Sequence, residues 1–326
     1  ERGLANFMLK KTPFTADELT RLREISHDLE FQEVLMPDRR IGEGPFQQLI
    51  DARGSEEFFA AYPFDISPVD DNRPFFHYMV KPADFIDLLS FPEQSKFGDR
   101  AILTLRNLLV VVSCCVALFL LLPLLIWQRE GLKRAGSGWR ILYFSCLGLG
   151  FMFIEIGLLR QFILFLGSPI YSLAVILCSL LVSSGFGALL SARVKSSALA
   201  RNLPVFLLAL VLLTIGYTYG VAGLLEHWIG QPIQVRCLLA GLLLVPLGLL
   251  MGMPMPLGMR HFHADNSVVP WSWGVNSATS VLGTILAVIV AMNLGFMATL
   301  LTGTALYLLA MIPVVAWRRT GGARNV

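Results

Sequence analysis

Few side chains in this chain could do chemistry, and the most conspicuous is a carboxyl in apolar surroundings. Glu155 lies inside GFMFIEIGLLRQFILFLGSP, residues 150–169, with Arg160 farther along the same run. An ionisable group at that depth of an apolar stretch faces a bundle interior and marks a site for a ligand, a proton or another helix. On a helix, Ser145, Gly148, Met152, Glu155 and Leu159 share one face, and small residues there let a neighbouring helix come close. Arg160 stands about 140° round from Glu155 at 100° per residue, too far for a good intrahelical pair. Glu155 therefore pairs with another helix or keeps its proton. A matching stripe exists in Asn276, Ser280 and Thr284, which recur every four residues and so share a helical face. With alternating topology, Thr284 falls closest to the depth of Glu155, and Asn276 stays near the cytoplasmic interface. Two roles stay open for Glu155: polar glue between helices, or a ligand or proton site in a cavity.

A second constellation is Asp70, Asp71 and Arg73 in SPVDDNRPFFHYMVKP, residues 67–82. An acid pair there can face a cationic substrate. It can equally form an Asx-type turn before Pro74, with Arg73 clamping a carboxylate. A third is MGMPMPLGMRHFH, residues 251–263. Its Met251, Met253, Met255 and Met259 with His261 and His263 are soft ligands suited to Cu(I). The prolines and glycines from Pro246 to Pro256 read better as a distorted span, whose irregular backbone must be buried in protein or line a cavity. No metal and no cofactor is expected in this chain. The five cysteines form no CxxC pair and lie in or beside apolar runs, where free thiols serve as buried packing groups. Ser-His-Asp and HExxH arrangements are absent from the sequence.

The elements that must position these residues are membrane helices. The chain is 55% hydrophobic with a mean hydropathy of +0.64, far above a soluble domain. Seven runs, near 103–127, 140–166, 170–190, 204–225, 237–258, 271–293 and 296–317, are each long enough to cross a hydrocarbon core of about 30 Å. All six tryptophans fall at or near run ends, as an interfacial belt places them. Gly167-Ser168-Pro169 and Leu294-Gly295 leave room only for tight turns. Lys and Arg gather in the loops of one side, which puts the C-terminus in the cytoplasm. The net charge of +3, with no basic patch, gives no footing for nucleic acid.

Residues 1–100 read instead as a small α/β segment. Thr15 and Glu18 form a capping box opening a helix that runs to about Leu29. ANFMLKKTPF and FQEVLMP read as strands, and SEEFFAAYP as a short capped helix. The expectation is therefore a mainly α membrane protein, a bundle of about seven spans over 101–326, preceded by what looks like the tail of a Rossmann-like domain. The chain opens on Glu1, which reads as a fragment or a processed product.

SPVDDNRPFFHYMVKP ahead of a membrane span resembles the integral-membrane spermidine synthase-like proteins. LGLGFMFIEIGLLRQFILFLGSPIYSL, LLMGMPMPLGMR, WSWGVNSATSVLGTILAVIVAMNLGF and FMLKKTPFT fit the same pattern. The resemblance implies an aminopropyltransferase-type α/β domain joined to membrane helices in a bacterial inner membrane. It also implies an adenosylmethionine-type donor, if an upstream domain exists to hold it. That family places its donor on a Gly-rich loop after the first strand with an acid after the second. Residues 1–100 hold no such loop, so fold and placement carry over and catalysis does not. The expected partners are the bilayer, the other half of the α/β domain, or other membrane subunits. A transporter or small-molecule-binding bundle with a cavity near Glu155, and an accessory subunit of a larger complex, are the rival readings.

Overall fold

The computed structural model describes residues 7–41, 44–81, 100–133, 136–262 and 267–319. It divides into two compact units, residues 1–67 and 68–326.

The first unit carries three short helices, α1 (Ala16–Asp28), α2 (Pro45–Asp51) and α3 (Glu56–Ala61). Helix α1 begins as its sequence requires. The Thr15 side chain accepts from the Glu18 N–H, and the Glu18 carboxylate accepts from the Thr15 N–H at 2.8 Å. Lys10 Nζ donates to the same carboxylate at 2.7 Å. The two expected strands do not form among the described residues, where the only pairing is an isolated bridge between Met36 and Arg39. The small α/β segment is thus corrected to a helical one. A strand needs a neighbour to take its N–H and C=O groups, and none is supplied here. Phe7 and Leu9 are 81% and 87% exposed.

The second unit is a helical bundle. Its elements are α4 (Arg100–Val116), a π-turn (Ala117–Leu121), α5 (Leu122–Trp127), α6 (Arg129–Lys133), α7 (Ser137–Leu166), α8 (Pro169–Ser191), α9 (Leu199–Glu226), α10 (Ile233–Gly252), α11 (Pro254–His261), α12 (Val269–Leu309) and α13 (Met311–Arg319), with a 3₁₀ turn at Ser196–Ala198. Six helical stretches are long and apolar enough to cross a membrane: Leu103–Trp127, Ser137–Leu166, Pro169–Ser191, Arg201–Glu226, Ile233–His261 and Val269–Trp317. The sequence count was seven, and the difference lies wholly in the last stretch.

That stretch is interrupted at Gly295, whose backbone (φ 88°, ψ 168°) is not helical. The two limbs, 269–294 and 296–309, run in opposite directions along α7. On the first limb, Ser280 Oγ meets Gly148 O at 3.3 Å and Thr284 Oγ1 lies 3.0 Å from Met152 Sδ, a rising, parallel register. On the second, Leu300 lies over Gly157, Gly303 over Ile154 and Tyr307 over Gly150, a falling, antiparallel one. The chain reverses at Gly295. Only glycine takes that φ without cost, and an added Cβ would also run into Asn72.

Helix α7 is the axis of the bundle. Tyr143, Phe144, Ile154, Leu158, Phe162 and Phe165 are all buried in its main core. Helix α8 packs on α10 through small residues, with Ser183 and Ser184 against Gly248 and Gly252 and with Gly187 against Leu249 O. Cations close two helix ends. Arg236 Nη1 donates to Phe165 O at 2.7 Å, and Arg260 reaches Ser191 O and Val194 O at 3.0 and 2.6 Å. The proline-rich stretch parts α10 from α11 at Met253, but Met253 keeps helical φ/ψ (−72°, −40°), so the irregular backbone expected there is not found at that position. Tyr143 OH donates to Pro254 O there at 2.8 Å. Of the five thiols, Cys146 is buried and Cys237 partly so; Cys114, Cys115 and Cys178 are exposed, against expectation. Hydropathy finds a span but not which of its faces turns outward.

Candidate functional site

The site is built on the seam between α7 and the 269–294 limb. Gly148 makes that seam possible, because a Cβ there would collide with Thr279 Oγ1, Asn276 O and Ser280 Oγ. The stripe Asn276, Ser280, Thr284 therefore does meet the small-residue face of α7. Its hydroxyl protons are committed to the backbone. Ser280 Oγ donates to Asn276 O at 2.9 Å, Thr284 Oγ1 to Ser280 O at 3.1 Å, and Thr279 Oγ1 to Val275 O at 2.9 Å.

Glu155 continues this face. It is half-buried and, among the described residues, makes no hydrogen bond and no ion pair. Thr284 sits level with Met152, three residues before Glu155, or about 4.5 Å short of it along the axis. The stripe and the carboxyl are thus neighbours on one seam without being bonded. Arg160 is half-buried and its Nε has no partner among the described residues. Glu155 and Arg160 form no pair, in keeping with their angular separation. Beside Arg160, Gln161 is buried and joins α7 to α9, with Nε2 donating to Tyr217 O and Thr218 O at 3.3 and 3.4 Å. Its Oε1 is buried with no partner among the described residues. Sequence reasoning passed over Gln161 because an uncharged amide draws no attention next to an arginine. Its place in an apolar run was the available signal.

Asp70, Asp71 and Arg73 lie elsewhere, on a segment that clasps the hairpin tip. Arg73 N donates to Asp70 Oδ1 at 2.7 Å and to Asp70 O at 3.1 Å, a β-turn reinforced by the aspartate side chain, and Asp70 and Asp71 are both exposed. Arg73 is half-buried and engaged. The residue between them does the structural work. Asn72 O accepts from Phe296 N at 2.9 Å and Asn72 Oδ1 from Met297 N at 2.8 Å. Those are N–H groups that a helix cannot satisfy internally at its start. Phe75 stacks on Phe296 at 5.7 Å, and Tyr78 OH donates to Asn293 Oδ1 at 2.8 Å. Tyr78 and Val80 bury with Met292 in a second small core.

The methionines of residues 251–259 pack into or against the main core, and His261 stands edge-on to Phe262; His263 lies outside the described residues. Among the described residues no group of three His, Cys, Asp or Glu converges as a metal site would require. The bundle has a shallow recess, lined by Ser137, Arg140, Phe144, Trp271 and Ser272. It lies near the start of α7, about 22 Å from Glu155 by helical rise.

No protein-family model, no curated protein and no solved structure matches this chain.

Proposed function

We propose that this chain is the membrane part of a larger spermidine synthase-like protein, a multi-pass bundle that anchors and completes an α/β domain whose donor-binding half lies outside it. The clasp carries this reading. A segment rich in exposed polar residues ends in Asn72, Phe75 and Tyr78, which hold the tip of a membrane hairpin. That gives residues 72–80, which belong to the same unit as the bundle, a fixed place on it rather than the freedom of a loose linker. Counting the reversal at Gly295 as a membrane turn gives seven crossings. The Lys and Arg bias then puts the C-terminus in the cytoplasm of a bacterial inner membrane and the N-terminal segment on the opposite face. Binding of an adenosylmethionine-type donor to the complete gene product, measured by calorimetry, is the expected result; absence of binding sinks the enzyme reading.

A second reading is a small-molecule-binding bundle or transporter, and Glu155 favours it. A carboxyl among apolar neighbours at mid-span is costly unless something comes to it. An accessory-subunit role has less support, because the small residues a partner helix would need, Gly148, Ser183 and Gly248, already pack within the bundle.

A further inference from the structure

We propose that the seam between α7 and the 269–294 limb is a lateral binding site for a lipophilic amine, an ammonium group on an apolar body, with Glu155 as its counter-charge. This rests on the small-molecule reading above and gives its ligand a chemical class. The seam opens sideways. Thr284 is exposed, Val281 is 47% exposed and Glu155 is half-buried. By helical rise Glu155 stands about 27 Å from Ser137 and about 16 Å from Leu166, so what lies against the opening is acyl chain.

Beside Glu155 the seam offers acceptors, the carboxyl oxygens and the Thr284 hydroxyl; the amide donor of the stripe, Asn276, stands eight residues or about 12 Å back along the limb. Of the hydroxyls, Thr279 and Ser280 face Gly148 within the seam, and Thr284 is the exposed one, its Oγ1 3.1 Å from Ser280 O and 3.0 Å from Met152 Sδ. No donor of the described residues reaches the Glu155 oxygens. Arg160 is turned away on the same helix and forms no pair with it. Acyl chains cannot donate, and an acceptor left unpaired in hydrocarbon is costly. A primary ammonium brings three donors, enough for both carboxyl oxygens and the Thr284 hydroxyl. Met152, Leu159 and Val281 line the seam for the apolar body.

The test uses the full chain in lipid nanodiscs and four spin-labelled probes with one alkyl tail: a primary amine, its quaternary ammonium analogue, an alcohol and a carboxylate. The primary amine is expected to bind saturably and better than the quaternary analogue, which has the charge but no N–H. Glu155→Gln should weaken amine binding by about tenfold or more, the scale of losing a hydrogen bond to a charged group, and Thr284→Val by a smaller factor. Glu155→Asp, which keeps the carboxyl, should retain part of the binding, and Glu130→Gln all of it. Thermal unfolding of each variant separates loss of binding from loss of fold. Equal amine binding by folded wild-type and Glu155→Gln protein overturns the proposal. Glu155-dependent binding of the alcohol or carboxylate in place of the amine also overturns it, while leaving the small-molecule reading in force. If no probe depends on Glu155, both fall. A change of oligomeric state in Glu155→Gln without probe binding overturns it too, and assigns the seam to a second copy of the chain.

Discussion

At the residue scale, the bundle spends polar groups on ending helices and joining them, and leaves a half-buried carboxyl unpaired within a span. Asn72 shows the first use. It supplies an N-cap to a helix that begins more than two hundred residues later, with a side-chain and a backbone acceptor together. Asn72→Ala removes the side-chain acceptor and leaves the backbone one. The expected cost is about 1 kcal/mol, the usual worth of an N-cap side chain, read as a lower unfolding temperature in detergent. Asn72→Asp should recover most of it. Glu155 is the carboxyl left over, and its separation from every donor in the described bundle is what makes it a binding candidate rather than a strut. Its inward-facing small-residue neighbours and the stripe at Asn276, Ser280 and Thr284 were legible in the sequence, because a 3.6-residue period projects both onto faces. The clasp was not. Asp70 and Arg73 drew attention by their charge, yet the residue that matters is the neutral one between them, and a bond across such a sequence separation leaves no period to read.

At the element scale, α7 shows how one helix serves two neighbours of opposite direction. Its glycines divide by what stands over them. Gly138 has open space around an added Cβ, whereas Gly148 faces a backbone carbonyl and two hydroxyls. The same substitution should therefore have opposite signs. Gly138→Ala is expected to stabilise by about 0.5 kcal/mol through helix propensity. Gly148→Ala should cost about 1–3 kcal/mol by overpacking, with both read from thermal unfolding in one detergent. Helix α1 gives a pH prediction. The Lys10 ammonium, hydrogen-bonded to Glu18, and the Thr15 N–H hold that carboxyl below the ordinary glutamate range. A carboxyl depressed in the folded state contributes stability above its unfolded value, about 4.3, and loses it as pH falls through the lower folded value. Amide protection over residues 15–19, taken relative to the intrinsic exchange rate at each pH, should therefore fall on acidification below that range, and Glu18→Gln should flatten the response. The strands expected in this segment failed for a reason that belongs to elements. Alternation and β-branching specify a surface that fits a sheet, but only a neighbouring strand makes one.

At the scale of the whole molecule, hydropathy alone placed nearly every span. It also read Leu294-Gly295 as a tight turn between two runs, and the opposite registers of the two limbs against α7 show that reversal. Break and clasp belong together, since Gly295 frees N–H groups and Asn72 takes them. The bundle therefore reads as a platform whose hairpin tip receives the segment that enters from the N-terminal side. The most direct test of that claim is cross-linking in native membranes, with Phe75→Cys and Phe296→Cys introduced into the complete gene product after its natural cysteines are replaced. The rings of these two residues are stacked, so a short bis-thiol reagent should join the introduced thiols in high yield, while Phe75→Cys paired with Trp127→Cys should give no product. If the Phe75→Cys, Phe296→Cys double variant yields no cross-link, although each single variant reacts with a maleimide, the account is contradicted.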